Sequence, residues 1–223
     1  MSDLRLVIFD VDGTLVDSQA EILAAMAHAH QAQGLDAPGR EAVLGIVGLS
    51  LDVAFARLHP QAEDPLRVRL ATSYRDAFAA LRAEDGDRSP LYPGAREAVE
   101  VLAAQDHTLL AVATGKSKRG LDKMLEKHGL RGLFHSEQTA DHHPSKPDPS
   151  MILAALSETG VQARRAVMVG DTTYDMDMAR AAGCWKIGVP WGYHAREALQ
   201  PDHMIDSFDA LPGAVDALLG ETA

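Results

Sequence analysis

The stretch Asp10-Val11-Asp12-Gly13-Thr14-Leu15-Val16-Asp17-Ser18 follows the apolar run Leu4-Arg5-Leu6-Val7-Ile8-Phe9. That run is short, rich in β-formers and stopped abruptly by polar residues, so it reads as a buried strand. Two carboxylates two residues apart at the end of such a strand are costly. Each loses hydration and repels the other, and the pair needs a cation or a shared proton. Ligands of open α/β sheets bind at the carboxyl ends of the strands. One reading is therefore a loop that holds a metal ion and a nucleophilic aspartate. The other is a surface turn in which Asp12-Gly13 reverses the chain. Alone, the stretch is compatible with both.

Working outward, the pattern after Asp17 is helical. Ser18-Gln19-Ala20-Glu21 has the form of a capping box, and Ile22, Leu23, Met26 and Ala29 recur at helical spacing. A short helical segment around Arg40 to Ile46 leads into Gly45-Ile46-Val47-Gly48-Leu49-Ser50. Ser50 is placed to cap a helix from Leu51 to His59, and Asp64-Pro65 opens another, with Leu66, Leu70, Tyr74, Phe78 and Leu81 in one stripe. The polar segment Glu84 to Pro90 reads as a linker.

Beyond it, helices and strands alternate. Strands are expected at His107–Thr114, Leu133–Glu137, Ala166–Gly170 and Trp185–Val189, with a short one near Met204. Helices are expected after Pro93-Gly94, over Ser117–His128, Ser150–Thr159 and Thr173–Ala182, and from about Gly213 to Leu219. This alternation predicts an α/β fold: a doubly wound, mainly parallel, Rossmann-like sheet. The helical stretch after the first strand is too long for an ordinary loop. It is read as an inserted all-helical cap over 17–86, with 1–16 and 87–223 forming the catalytic core. A cap entering beside Asp10 is placed to close over a site there.

The chain has 223 residues, 46% of them apolar, enough for a large core. Its net charge of −11 and lack of a basic run argue against nucleic acid and anionic membranes as partners. Cys184 is the sole cysteine, so an internal disulfide is excluded. With no signal-like or spanning apolar segment, a cytoplasmic protein is expected. Oligomeric state has no signature in the sequence.

The polar residues at the strand ends form an ordered set. The first strand ends in Asp10 and Asp12, the second in Thr114-Gly115-Lys116-Ser117, and the fourth in Gly170-Asp171-Thr172-Thr173-Tyr174-Asp175; Ser145-Lys146-Pro147 precedes the fourth. Each has an ordinary alternative: Thr114 or Ser117 as a helix cap, Asp171 and Asp175 as capping acids, Lys146 as a solvated lysine. Their joint occurrence in this order favours a site.

These residues resemble the four motifs of the haloacid dehalogenase-like (HAD) superfamily of phosphohydrolases: Asp10 to Thr14, then Thr114, then Lys146-Pro147, then Gly170-Asp171 with Asp175. A helical insert after the first motif, and the residues Val11 and Leu15 to Ser18, are similar to the phosphoglycolate phosphatase-like branch. The resemblance implies a Mg²⁺-dependent phosphatase of a small phosphorylated metabolite, 2-phosphoglycolate first. In it Asp10 is the nucleophile that forms an aspartyl-phosphate, and Asp12 is the general acid and base. Thr114, the Gly115 N–H and Lys146 meet phosphate, with Lys146 also supporting catalysis. The ion is held by Asp10, the Asp12 carbonyl and Asp171, with Asp175 as ligand or support. An acid at position 12 disfavours a dehalogenase. A sugar-phosphate mutase keeps both aspartates and stays open, and a non-catalytic phospho-ligand-binding protein is the remaining alternative.

Several other residues attract attention. His142-His143, His28 and His30 are read as loop, surface or packing residues, and Cys184 as a small core residue. Trp191-Gly192-Tyr193-His194 is read either as a substrate contact or as packing. Gly45 to Leu51 is the better candidate for setting specificity: the resemblance implies that this turn faces the site, and its few charged side chains suit a small or weakly polar leaving group.

Overall fold

A computed structural model describes residues 4–85 and 89–220. The first strand, β1 (Arg5–Phe9), is buried along its whole length. Its side chains alternate between two apolar layers: Val7 and Phe9 face one, Leu6 and Ile8 the other. A strand covered on both faces is what a near-continuous apolar run specifies in a parallel sheet. The neighbours β2 (Thr108–Thr114) and β4 (Ala166–Gly170) repeat this division, with Leu110, Val112, Val167 and Val169 in one layer and Ala111, Ala113, Ala166 and Met168 in the other.

With β3 (Ser136–Thr139), β5 (Trp185–Gly188) and β6 (His203–Met204), these make a six-stranded sheet in the order β3-β2-β1-β4-β5-β6. The five strand pairings are all parallel. The order runs outward from β1 in one direction and from β4 in the other, so the switch point lies between them, the position where open α/β sheets bind ligands. The doubly wound reading therefore holds. Helices α5 (Ala95–Ala103), α6 (Lys118–Lys127), α7 (Ser150–Thr159), α8 (Thr173–Ala182) and α9 (Leu211–Leu219) accompany the strands. Arg5, in the middle of the apolar run, is buried and fully engaged. It donates to Thr108, Gln105 and the Gly220 carbonyl and pairs with Asp216 at 2.7 Å, tying the start of the sheet to the last helix.

Between β1 and the rest of the sheet lie α1 (Gln19–Gln31), α2 (Arg40–Leu44), α3 (Leu51–Leu58) and α4 (Asp64–Asp85). They build an apolar cluster of their own around Met26, Val43, Phe55 and Leu70, joined by Tyr174 from α8. Among the described residues no helix is long and apolar enough to cross a membrane.

Three local expectations are corrected. The strand placed at Leu133–Glu137 forms at Ser136–Thr139 instead. Phe134 is an irregular core residue ahead of it, and the strand itself is too polar for an apolar run to mark it. Helix α4 continues through Glu84 and Asp85, which were read as linker; the remaining linker positions 86–88, with the 86/87 boundary, lie outside the described residues. Ser18 precedes α1 but does not cap it, because its hydroxyl is turned onto Asp12.

Candidate active site

The loop after β1 is a turn, as Asp12-Gly13 suggested, but a buried one. Val11 and Leu15 are inaccessible, and the N–H groups of Leu15 and Val16 donate to the Val11 carbonyl. Gly13 sits at φ +87°, and a Cβ there would fall 2.4 Å from an Asp171 carboxylate oxygen. Only glycine makes this turn and lets β4 bring its acid so close.

Asp10, Lys146, Asp171 and Asp175 meet at the switch point, each buried. Lys146 Nζ lies 2.7 Å from Asp10 Oδ1 and 2.7 Å from Asp175 Oδ1. Asp171 accepts from the Thr14 hydroxyl and from the Tyr193 N–H, both at 2.8 Å. Asp175 has a second job, since it completes a capping box with Thr172 at the start of α8. The capping reading of this residue is thus correct, and the same side chain also lies beside Lys146 in the acid cluster.

Three buried acids face one lysine. Burial raises the Asp10 carboxyl to about 7; Lys146 opposes the rise, and the charges of Asp175 and Asp12 add to it. Asp171 is raised well above the carboxylate range, first by burial and then by Asp10 and Asp175. Burial works to lower Lys146, but Asp10 and Asp175 outweigh it and hold the ammonium charged. Carboxylate oxygens of Asp10, Asp171 and Asp175 lie within 4.8 Å of one another, and Asp10 Oδ2 is buried with no hydrogen-bond partner. An excess of buried negative charge around an unsatisfied oxygen fits a hard divalent cation with oxygen ligands.

Asp10 and Asp12 also open onto a cavity of about 260 Å³, whose core-side wall includes Thr114, Gly115 and Lys116. The cavity therefore gathers Asp10, Asp12, Thr114 and Gly115. Lys146 is not on its wall, because the Asp10 and Asp175 carboxylates enclose it. The Asp12 side chain stands apart from the three-acid cluster. Lys116 Nζ donates to both of its oxygens at 2.7 Å, and the Ser18 hydroxyl donates at 2.5 Å.

Lys116 and Ser18 are the residues the sequence reading missed. Lys116 stood in the strand-end segment without a partner, and Ser18 looked like a cap. Ser117, by contrast, does cap α6, accepting from the Gly120 N–H.

The aromatic loop after β5 resolves as packing. Trp191 Nε1 donates to the Thr14 carbonyl, and the Tyr193 hydroxyl lies 3.0 Å from that of Ser18, so the loop braces the turn that carries Asp10 and Asp12. The histidine readings hold as well. His143 is tied to Ser150 and Gln138, His142 and His28 are exposed, and His30 packs against Phe55 and His59 inside the helical block. Cys184 is a buried core residue.

The segment Gly45 to Leu51 faces the site, as read. The Gly48 carbonyl oxygen would lie 2.6 Å from a Cβ on Gly115. The Ser50 N–H donates to the Ser145 hydroxyl at 2.8 Å, and Tyr174 donates to the Gly45 carbonyl at 2.7 Å.

Three buried carboxylates and a lysine meet at the switch point, with Asp12 and Thr114 on the wall of the adjoining cavity, and comparison with known proteins gives the chain a family. The model of the haloacid dehalogenase-like hydrolases matches residues 7–189. The chain belongs to that family. It is 38% identical to "Probable phosphatase IndB" of Dickeya dadantii over 96% of this chain and 94% of that one. It is 33% identical to a phosphoglycolate phosphatase of Vibrio parahaemolyticus, over 94% and 95%. Among solved structures, a predicted phosphoglycolate phosphatase from Haemophilus somnus superposes with a TM-score of 0.83 at 25% identity, covering 96% of this chain and 99% of that one. The chain is a phosphatase-type hydrolase of this family, of the kind these relatives represent.

Proposed function

We propose that the protein is a Mg²⁺-dependent phosphatase acting on a small phosphorylated metabolite through an aspartyl-phosphate on Asp10. The observation that carries this reading is the unequal treatment of the Asp10 oxygens. Oδ1 is held by Lys146, while Oδ2 is buried without a partner in a carboxylate that opens on the cavity. Asp10, Asp171 and the Asp12 backbone carbonyl would hold Mg²⁺. Asp175, with one oxygen on Lys146 and the other on Thr172, would support them. When bound, the ion neutralises the acids and polarises the phosphoryl oxygens.

The residues then divide the work. An Asp10 oxygen attacks phosphorus, the ester P–O bond breaks, and Asp12 gives its proton to the departing alkoxide. A water next loses a proton to Asp12 and attacks phosphorus. The acyl-phosphate P–O bond breaks, which restores Asp10 and releases phosphate. Thr114 and the Gly115 N–H orient phosphate oxygens beside the N-terminus of α6. Lys146, enclosed behind Asp10, positions the nucleophile and offsets charge. Residues 17–86 act as a cap that excludes water, with 1–16 and 87–223 as the core.

The substrate to assay first is 2-phosphoglycolate, which several relatives' names specify. Phosphate release with and without Mg²⁺, repeated with Asp10→Asn, tests the reading. Turnover is expected to need both the metal and the carboxylate, and activity that survives either change overturns the mechanism.

A further inference from the structure

The cavity has two unlike walls. The core wall is polar and carries Asp10, Asp12, Thr114 and Lys116. The opposite wall comes from the helical block, through Ile22, Met26, Ile46, Val47, Leu49 and Phe78. None of these six side chains offers a hydrogen bond. The first five are each less than 10% exposed, although they border open space. The two walls are held close where Gly48 and Leu49 approach Gly115, so a bound ester touches both.

We propose that the alcohol portion of the substrate is predominantly apolar, a hydrocarbon or ring-bearing group seated against this wall. The inference rests on the phosphatase reading and narrows its substrate class. The phosphoryl group must lie at Asp10, which leaves the leaving group under the apolar wall. A polar group placed against these six side chains loses water and gains no side-chain partner; Tyr74 is the one hydroxyl-bearing side chain of that wall. Lys116, the cation beside the reacting acids, already spans both oxygens of Asp12, so a carboxylate two carbons from the phosphate would have to compete for it. The other cations of the lining, Arg75, Arg119 and Lys123, are exposed, placed to draw an anionic ester into a chain of net charge −11. The volume of about 260 Å³ is also more than a two-carbon acid fills, and lies just below the roughly 300–1,000 Å³ of ordinary ligand pockets.

The test is a series of n-alkyl phosphates from ethyl to hexyl, assayed with Mg²⁺ beside 2-phosphoglycolate and 4-nitrophenyl phosphate. Leaving-group basicity is nearly constant along the alkyl series, so a trend reports burial. The expectation is a rise in kcat/KM of about fourfold per methylene over the first few carbons, with the longer esters above 2-phosphoglycolate. Phe78→Ala and Val47→Asn are each expected to flatten the slope. A flat or falling wild-type series, or 2-phosphoglycolate preferred to every alkyl ester, overturns the proposal and leaves the phosphatase reading standing. Release of phosphate from no ester, 4-nitrophenyl phosphate included, overturns the phosphatase reading itself.

Discussion

Lys116 Nζ lies 2.7 Å from both carboxylate oxygens of Asp12, although the two residues are 104 positions apart in the chain. The pair joins the end of β2 to the turn after β1, and the Ser18 hydroxyl closes the arrangement from the other side. A carboxylate held by an ammonium and a hydroxyl keeps one orientation, which the acid-and-base role proposed for Asp12 would need.

Lys116→Met removes the ammonium from Asp12 and leaves the Ser18 hydroxyl in place. A hydrogen bond to a charged group contributes about 1.5–3 kcal/mol, so kcat/KM is expected to fall roughly tenfold to a hundredfold. Lys116→Arg, which keeps the charge, is expected to recover part of the loss. Steady-state kinetics of the two variants on one phosphate ester decide the matter; equal rates in the Met variant and the wild type would mean Asp12 is positioned without Lys116.

Lys146 is expected to matter for stability as much as for turnover. Its ammonium is fully buried between Asp10 and Asp175. Lys146→Met leaves those charges facing each other, and breaking a buried pair in this way costs about 3–5 kcal/mol. Urea unfolding should show a large fall in midpoint, and Asp175→Asn in the same background should restore some of it by removing one charge.

The metal-free protein should weaken as pH rises. Asp10 ionises at 3.8 unfolded and at about 7 folded. Between these values the folded state keeps a proton that the unfolded chain has released. Stability from this residue is therefore fully present below pH 3.8 and lost as pH rises through 7, at up to about 1.4 kcal/mol per pH unit. Asp171, also raised, acts in the same direction. In chelator, the melting temperature is expected to drop between pH 5 and 8. Added Mg²⁺ should raise it more at pH 8 than at pH 5, because the ion competes with protons for the acids. A metal-free melting temperature that climbs across this window contradicts the arrangement.

Gly115→Ala tests the contact between the helical block and the sheet. Its Cβ would lie 2.6 Å from the Gly48 carbonyl oxygen and 3.0 Å from that of Leu49, both backbone atoms. One of the two segments must move, at a cost of about 1–3 kcal/mol. The expected result is a KM raised roughly tenfold together with a fall of a few degrees in melting temperature, since the strain is relieved by lifting the Gly45–Leu51 segment off the site. A lowered melting temperature with KM unchanged would place the strain inside the sheet.

Several features were legible in the chain before any contact was known. The alternation of Leu6, Val7, Ile8 and Phe9, and of the β2 and β4 strands, fixes buried parallel strands because each face must meet its own apolar layer. Strand ends follow from the same pattern, so the places of Asp10, Asp12, Thr114, Asp171 and Asp175 at one edge were legible too. So was the long helical stretch from Ser18, because its periodicity is local. Strand β3 was misplaced for the converse reason: Ser136, Glu137, Gln138 and Thr139 carry no apolar signal, and only the edge of β2 makes them a strand.

The partners of the site residues belong to the tertiary structure alone. Lys146 meets Asp10 across 136 positions, and Tyr193 meets Ser18 across 175. Ser18 has the local credentials of a helix cap, and it took the folded loop to turn its hydroxyl onto Asp12. Part of the apolar wall facing Asp10 was hidden as well, because Ile22, Met26 and Phe78 read as the buried stripes of separate helices, whereas Ile46, Val47 and Leu49 lie in the segment read as facing the site. Periodicity records which face of an element is apolar; whether that face packs shut or borders a cavity depends on where the neighbouring elements stop.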